Sequence, residues 1–294
     1  MQTPLSLRHF LLALAVVSVW GTNFVVIKLA LGHLPPLLFA SLRFSLALVP
    51  AMFFLPRPAV RWQNLALYGV LIGVGQFGLL YVAMNGYISP GIASLVIQSQ
   101  AFFTIGLSMR LTGERVRVFQ WFALLLAAGG IAIIVLHTDG TTTVAGLVMI
   151  LLAALSWAGG NMAAKHGAPA NMLAYVVWSS AFAIPPLFAL SLAIEGWDAA
   201  VAGVEQANFI TWAAVAWQSW ANTLFGYAAW GWLLARNPAA TIAPMSLLVP
   251  VFGMGASAVF LAEPLPAWKL TAAALVMAGL ALNLLWPRLR AAIA

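Results

Sequence analysis

Ten apolar runs divide this chain of 294 residues, and each is long enough to cross the hydrocarbon core of a bilayer as a helix. A helix needs about 20 apolar residues for this, because it rises about 1.5 Å per residue. The runs predict an all-α integral membrane protein with ten transmembrane helices. They cover residues 10–30, 37–55, 65–84, 91–111, 118–136, 144–164, 171–194, 209–234, 240–261 and 266–286.

Charged side chains are scarce in this sequence, at 6% of the residues, whereas 64% are hydrophobic. A soluble domain carries about 25% charged residues, so most of this surface is expected to face lipid. The run at 10–30 follows Arg8 but is longer than the apolar part of a signal peptide, and we expect it to be retained. The chain has no cysteine, which excludes disulfides and cysteine-based metal sites.

Basic residues concentrate at one end of the predicted helices. With the N-terminus in the cytoplasm, ten of the 13 Lys and Arg residues lie at cytoplasmic helix ends. Cytoplasmic loops are enriched in Lys and Arg, so both termini are predicted to be cytoplasmic. Because the charges are scattered rather than clustered, they indicate membrane anchoring and no nucleic-acid binding. The ten residues are Arg8, Arg57, Arg61, Arg110, Arg115, Arg117, Lys165, Arg236, Arg288 and Arg290.

The two halves of the sequence resemble each other. A shift of 149 residues pairs Phe103 with Phe252, Gly106 with Gly255, Ser108 with Ser257, Glu114 with Glu263, Gly130 with Gly279 and Ala132 with Ala281. Since each unit would hold five helices, an odd number, the second copy enters the membrane from the opposite side. The sequence therefore predicts two inverted repeats, residues 1–140 and 141–294, an arrangement typical of transporters with a central site.

Six short stretches carry a family resemblance: VWGTNFVVIK at 19–28, LRF at 42–44, GIASLVIQ at 91–98, QAFFT at 100–104, SWAGGN at 156–161 and SLLVPV at 246–251. With them, nearly the whole chain resembles the EamA family of the drug/metabolite transporter superfamily. The resemblance implies ten helices in two inverted halves in a bacterial cytoplasmic (inner) membrane. It also implies export of amino acids or similar metabolites, although these stretches say little about which solute.

Polar and aromatic side chains in the middle of the predicted helices are candidate substrate contacts. A polar group is costly in lipid unless it lines a cavity or bonds another helix, and the second role is the alternative for each candidate. A lining rich in aromatic rings and amides and nearly free of charge suits a zwitterionic or modestly apolar small-molecule substrate. The predicted substrate-binding residues are Trp20, Asn23, Arg43, Gln76, Gln98, Trp157, Asn161, Trp178, Gln218 and Asn222.

Three of these expectations are more specific. Gln98 and Gln100 are two residues apart on one helix, so at most one should face a central cavity, and we favour Gln98. Arg43 lies about two turns inside the second run, where it either extends to the external interface or binds a substrate carboxylate bidentately. Pro250 lies near the centre of the ninth run and is the predicted hinge.

The sequence gives little support to an enzyme. The four histidines lie near the ends of runs without metal-ligand spacing, and there is no phosphate-binding loop of the ATPase type. We therefore expect no catalytic residue, cofactor, metal or ATPase subunit. The alternatives are a polytopic membrane enzyme, or a carrier of phosphorylated or nucleotide-linked sugars, which would need several buried cations where only Arg43 is a candidate.

The acidic residues bear on energy coupling. All six, including Glu114 and Glu263, can be placed at or beyond the ends of the runs. A proton-coupled antiporter commonly places a carboxylate within the membrane. The sequence therefore favours alternating access with facilitated, downhill movement of the solute.

The predicted orientation can be tested by cysteine labelling, because the natural chain has none. We expect Arg115→Cys to resist a membrane-impermeant thiol reagent applied to intact cells, and Glu205→Cys, in the predicted external loop 195–208, to react. Labelling of both after the cells are opened is the control. Strong labelling of position 115 from outside would reverse the orientation.

Overall fold

The computed structural model describes residues 6–112, 117–138 and 141–293, and every regular element in these ranges is helical. The helix α1 covers Leu7–Ala30, α2 Pro36–Ala51, α3 Trp62–Met84, α4 Pro90–Arg110, α5 Val118–Leu136, α6 Val144–Gly167, α7 Met172–Glu195 and α8 Trp197–Gln206. Next, α9 joins Phe209–Ala216, Trp217–Phe225 and Gly226–Arg236, α10 joins Ala239–Ile242 to Ala243–Leu261, and α11 covers Ala267–Ile293.

Every predicted apolar run coincides with one of these helices. Within the described part of the chain, eight helices are long and apolar enough to cross a membrane, namely α1, α3 to α7, α10 and α11. A shorter apolar helix, α2, adds 16 residues. The all-helical membrane class is thus confirmed. Glu114, Arg115 and Asp139 lie outside the described residues.

One element was not predicted. The segment 195–208, expected to be a loop, contains the ten-residue helix α8. Its Asp198 and Glu205 are exposed, while Ala200 and Gly203 are buried against the protein. A helix of this length is too short to cross a bilayer, so a search for membrane-spanning runs passes over it.

The two ends of the helix bundle are named here by α1: it begins at the near end and finishes at the far end. Contacts between α5 and α11 illustrate the antiparallel order. At the near end Phe119 lies 6.3 Å from Trp286, measured between ring centroids, and at the far end His137 stacks on Trp268 at 5.1 Å. Described basic residues such as Arg57, Arg61 and Arg117 lie at the near end.

Among the described residues, five segments depart from α-helical geometry. One is the π-helical end of α7, Ser191–Glu195, and the other four occur as two matched pairs. A π-helical segment Leu71–Gly78 in α3 has a counterpart Trp217–Phe225 in α9, and the 3-10 segment Ile97–Ser99 in α4 has a counterpart Ala243–Leu247 in α10. In both pairs the first residues are 146 positions apart (217 − 71 and 243 − 97). Such segments change the direction of side chains and often mark functional sites.

Helix packing follows the same pairing. The helix α1 of the first half packs on α9 and α10 of the second half. In the same way, α6 of the second half packs on α3 and α4 of the first half. The pairs α2–α7 and α5–α11 each join one half to the other. Large apolar side chains on the outside of α5, such as Trp121 and Leu125, are exposed, as expected of a surface that faces lipid.

A seam of small residues brings α1, α4 and α10 into close contact. Gly21 lies against Phe252 and the carbonyl of Val249, and Gly253 lies against the side chain of Ser94. There is no room at either glycine for a Cβ atom. Small residues let helices in membranes approach closely enough for dispersion contacts to hold them together.

This seam predicts different tolerance at two glycines of α10. A methyl group at Gly253 would meet Ser94, whereas one at Gly255 would meet nothing within 4 Å. We expect Gly253→Ala to destabilise the folded protein by about 1–3 kcal/mol, the usual effect of overpacking. The measurement is thermal unfolding in detergent, with Gly255→Ala as the matched control, and equal stability of the two variants would refute the seam.

Candidate functional site

A cavity of about 430 Å³ lies in the middle of the bundle. Its walls come from α1, α3, α4, α6, α9 and α10, and α7 and α11 contribute at the near end. Seven amide side chains line it: Asn23, Gln76, Gln98, Gln100, Asn161, Asn222 and Asn283. Seven aromatic side chains do so as well: Trp20, Phe24, Tyr68, Phe77, Trp157, Tyr227 and Trp230.

No Asp, Glu, Lys, Arg or His occurs among the residues described as lining the cavity. The walls can therefore donate and accept hydrogen bonds and stack on a solute, but they offer no ion pair. The described residues also contain no cluster of His, Asp or Glu that could hold a metal ion. The chemistry available here is reversible binding of a solute with little net charge.

Some polar groups of the lining are already paired. The Nδ2 of Asn161 donates to Gln100 Oε1 at 3.1 Å and to Thr104 Oγ1 at 3.3 Å. The indole of Trp20 donates to the carbonyl of Asn222 at 3.1 Å, which joins α1 to α9. These bonds fix the side chains that shape the cavity and give Asn161 and Trp20 a structural part in it.

Asn23 differs from these residues. Its side chain is 4% exposed, and its Oδ1 atom is buried without a hydrogen-bond partner. Nearly all buried polar atoms in proteins are paired, because an unpaired one costs about 1–3 kcal/mol. Because Asn23 belongs to the cavity lining, rotation of its amide toward the cavity would let this unpaired acceptor bind a solute N–H.

The cavity brings together seven of the ten residues proposed from the sequence. They are Trp20, Asn23, Gln76, Gln98, Trp157, Asn161 and Asn222. The other three, Arg43, Trp178 and Gln218, are not among its lining residues.

Arg43 does not extend to the external interface, so that expectation is wrong. It is 1% exposed. Its Nη1 donates to the Tyr81 hydroxyl at 3.2 Å and its Nη2 to Thr223 Oγ1 at 2.6 Å. Its guanidinium carbon also lies 4.0 Å from the centroid of the Phe77 ring. Two hydroxyls and an aromatic face stabilise the Arg43 guanidinium inside the protein, so the side chain does not need to extend to water.

Gln218 and Trp178 have structural positions. Gln218 is fully buried and accepts a hydrogen bond from the Tyr81 hydroxyl at 3.0 Å, which extends the network of Arg43 between α2, α3 and α9. Trp178 donates from Nε1 to the carbonyl of Leu55 at 3.1 Å, away from the cavity. Gln218 bonds another helix, the alternative weighed for every mid-membrane polar group, and Trp178 bonds the segment that follows α2.

Gln98 and Gln100 both line the cavity, contrary to the expectation that only one would. The 3-10 segment Ile97–Ser99 explains this difference. Two residues apart, side chains point about 160° apart on an α-helix but only about 120° apart on a 3-10 helix, which has three residues per turn. The tighter turn and the long amide side chains let both reach the same space.

Pro250 is buried in α10 beside the cavity residue Val249. A proline has no N–H, so it leaves the carbonyl four residues earlier without its helical bond. That carbonyl belongs to Ser246, which lines the cavity. A hinge at Pro250 stays a prediction.

Several lining residues were not predicted from the sequence, among them Tyr68, Tyr227 and Asn283, and Gln100 was ranked below Gln98. Asn283 was passed over because it lies close to the end of its predicted run. The two tyrosines have a weak signal in sequence, since an aromatic residue on a helix is usually packing. Because the cavity extends toward the near end, a polar residue close to the end of a predicted run, such as Asn283, can line it.

The cavity is asymmetric along the bundle. At the near end it reaches Met172, the first residue of α7, and Asn283 of α11. Toward the far end the deepest lining residues are Phe24 and Leu80. It therefore stops short of the far end, where the helices pack closely.

Two carboxylates bind helix N-termini at the far end. Both α2 and α4 begin with a proline, Pro36 and Pro90, and neither has a side-chain cap from its N-cap residue. Glu195 accepts hydrogen bonds from the backbone N–H groups of Leu37 and Leu38, at 2.7 and 3.2 Å. The first N–H groups of a helix lack partners within it and carry a partial positive charge, which suits a carboxylate.

Glu263 does the same for α4. It accepts from Gly91 N at 2.9 Å, from Ser89 Oγ at 2.5 Å and from Lys269 Nζ at 2.9 Å. The side chains of Lys269 and Glu263 are 3% and 8% exposed, so this is a buried ion pair, just beyond the end of α10. A carboxylate from the second half of the chain thus holds a helix of the first half in both places.

With the geometry established, comparisons with known proteins add a family. The chain matches the EamA-like transporter family over residues 7–136 and again over residues 144–285. It is similar to a protein of Salmonella typhimurium described as "Probable amino-acid metabolite efflux pump", with 40% identity, 97% of this chain and 98% of that protein covered. A protein of Escherichia coli strain K12 with the same description is 38% identical, with 98% and 99% covered.

The fold has a match among solved structures. A crystal structure superimposes with a TM-score of 0.65 at 18% identity and covers 95% of this chain and 96% of that chain. At this identity the likeness concerns the fold alone. The apolar helices and the named relatives together indicate a multi-pass membrane transporter rather than an enzyme. Since the family match covers most of both halves, the chain belongs to the EamA-like transporter family.

Proposed function

We propose that this protein exports amino acids or related small metabolites by alternating access through the central cavity. The observation that carries the proposal is the uncharged lining of aromatic rings and amides in mid-membrane, with the unpaired acceptor Asn23 Oδ1 in its wall. Amides can form hydrogen bonds with both ends of a zwitterion, although no charged side chain is in the described lining. The descriptions of the two relatives as amino-acid metabolite efflux pumps support the same class of solute.

The proposal includes ten membrane crossings in two inverted repeats, residues 1–140 and 141–294. Three observations support it. The family matches each half separately, at 7–136 and 144–285. Two π-helical segments and two 3-10 segments lie 146 residues apart in pairs, and the packing partners of α1 have counterparts around α6. Alternating access follows from such symmetry, because each half can adopt the other's conformation.

The conformation proposed here is open to the cytoplasm, in a bacterial cytoplasmic membrane with both termini inside. The basic residues gather at the near end, which the positive-inside rule assigns to the cytoplasm. The cavity reaches Met172 at that end and is closed by Glu195 and Glu263 at the other. An exporter in this state would be ready to receive solute from the cell.

We propose facilitated movement without tight proton coupling. The lining described above holds no ionisable side chain for protonation to change, apart from tyrosine hydroxyls. Glu263 lies just beyond the end of α10 and pairs with Lys269 away from the cavity. A carrier of phosphorylated sugars has less support, because no lysine or arginine lines the described cavity wall.

The proposed site predicts loss of transport on removal of single amides. In liposomes with labelled amino acids, we expect Asn23→Ala and Gln98→Ala to reduce uptake by up to about tenfold, the worth of a hydrogen bond of about 0.5–1.5 kcal/mol. Gln63→Ala, which removes an exposed amide at the near end, is the matched control.

Two results would count against these assignments. If both cavity variants transport as the natural protein does, Asn23 and Gln98 are packing residues. If an imposed pH gradient drives net accumulation of solute from equal concentrations, the facilitated mechanism is wrong.

Closure of the far end predicts an effect of Glu263→Gln. The neutral amide would bind the start of α4 more weakly and leave Lys269 buried without its carboxylate. In a Leu80→Cys background, we expect a membrane-impermeant reagent outside the cell to label the cavity cysteine on the order of tenfold faster when Glu263 is changed. Glu205→Gln, an exposed carboxylate of α8, is the matched control, and equal labelling in all backgrounds would remove Glu263 from the closure.

A further inference from the structure

Arg43 is a buried cation without an anionic partner. No carboxylate of the described residues pairs with it, and its partners are the neutral hydroxyls of Tyr81 and Thr223 and the faces of Phe44 and Phe77. Its Nε atom is buried and has no hydrogen-bond partner. The hydroxyls and aromatic rings therefore stabilise the positive charge of Arg43, but no carboxylate neutralises it.

The carboxylate that binds the helix of Arg43 serves another purpose. Glu195 binds the start of α2, six residues before Arg43, which is about 9 Å away along a helix. Its oxygens already accept from Leu37 N, Leu38 N and Ser191 Oγ. Lys269, the other buried cation of the described chain, instead has a carboxylate at 2.9 Å.

The guanidinium of Arg43 stands directly behind one wall of the cavity. The ring of Phe77, a lining residue, is 4.0 Å from the guanidinium carbon. Thr223, which binds Nη2, follows the lining residue Asn222 in the chain. Tyr227, a third lining residue, follows Thr223 by four residues, about one helical turn, in α9. Phe77, Asn222 and Tyr227 are called the arginine wall below.

A charge in this position influences a solute without touching it. A solute against the free face of Phe77 adds about 4 Å to the 4.0 Å between the ring and the guanidinium. At about 8 Å, with an effective dielectric constant of about 20, a unit charge changes a binding constant on the order of tenfold or more. Water and salt screen it little, because Arg43 is buried.

A purely structural role explains the contacts of Arg43 less well. Its two hydrogen bonds join α2 to α3 and α9, but a neutral side chain could make such bonds without the cost of burying a charge. Ionisable residues inside membranes are costly and mark functional sites by default. The uncancelled charge is the feature that needs an explanation.

We propose that Arg43 is a specificity-determining residue, which selects solutes with a carboxylate by the electric field it places on the arginine wall. The inference rests on the proposed function and deepens it. The carboxylate of the solute lies at the arginine wall and takes its hydrogen bonds from Asn222 and Tyr227, while Arg43 acts as its countercharge from behind Phe77. An aromatic ring or aliphatic body then occupies the remaining apolar walls.

The test compares matched solutes with and without the charge, on purified full-length protein. Benzoate and benzamide, and an amino acid and its amide, are titrated by calorimetry. We expect the natural protein to prefer the carboxylate of each pair by on the order of tenfold. Arg43→Lys, which keeps the charge, should keep most of this preference, and Arg43→Gln should abolish it.

A ratio of two affinities separates this proposal from a structural role, because loss of folded protein lowers both affinities together. Arg57→Gln is the matched control, since Arg57 also lies over an aromatic ring, 3.7 Å from the centroid of Trp62, but is exposed. Its preference should equal that of the natural protein.

The possible outcomes are distinct. Equal affinity of the natural protein for both members of each pair overturns the proposal, and so does an unchanged preference in Arg43→Gln. A preference for benzoate that needs Arg43, in a protein that moves no amino acid in liposomes, would uphold the field of Arg43 and refute the proposed amino-acid export.

Discussion

A bilayer offers the polypeptide no hydrogen-bonding partner, and this constraint governs the whole structure. Every backbone amide must be satisfied inside the protein, which restricts the chain to helices. The same constraint applies where helices begin. Because α2 and α4 start at prolines without local side-chain caps, carboxylates from distant helix ends, Glu195 and Glu263, bind their first N–H groups. Helix capping thereby becomes contact between the two halves of the protein.

Polar groups within the membrane follow the same constraint in two ways. Some bond other helices, as in the network of Arg43, Tyr81 and Gln218, and these fix the positions of α2, α3 and α9. Others face an internal cavity, where Asn23 keeps an unpaired oxygen. The first group determines the shape of the cavity, and the second is left to interact with a solute. A transporter needs both, because its walls must hold together while its lining stays available.

The sequence predicted much of the fold because membrane helices can be recognised by the length and apolarity of their segments. Of the ten residues that it proposed for substrate binding, seven line the cavity, among them Asn23 and Asn222, and their contact with a substrate stays a prediction. The sequence could not separate these lining residues from Gln218, which is likewise an amide inside a predicted membrane helix. Only the contacts of the side chain distinguish them, because Gln218 accepts from Tyr81 while Asn222 lines the cavity.

By itself, then, the sequence determined the helical class, the number of apolar runs and the charge asymmetry of the two ends, because each depends on composition along a single helix. The tertiary structure decided which amides share a cavity, why both Gln98 and Gln100 reach it, and that Arg43 is buried behind its wall. It also decided that Glu263 meets Gly91 across 172 residues of chain. These are contacts between distant segments, set by how helices pack and where their geometry departs from the regular α-helix.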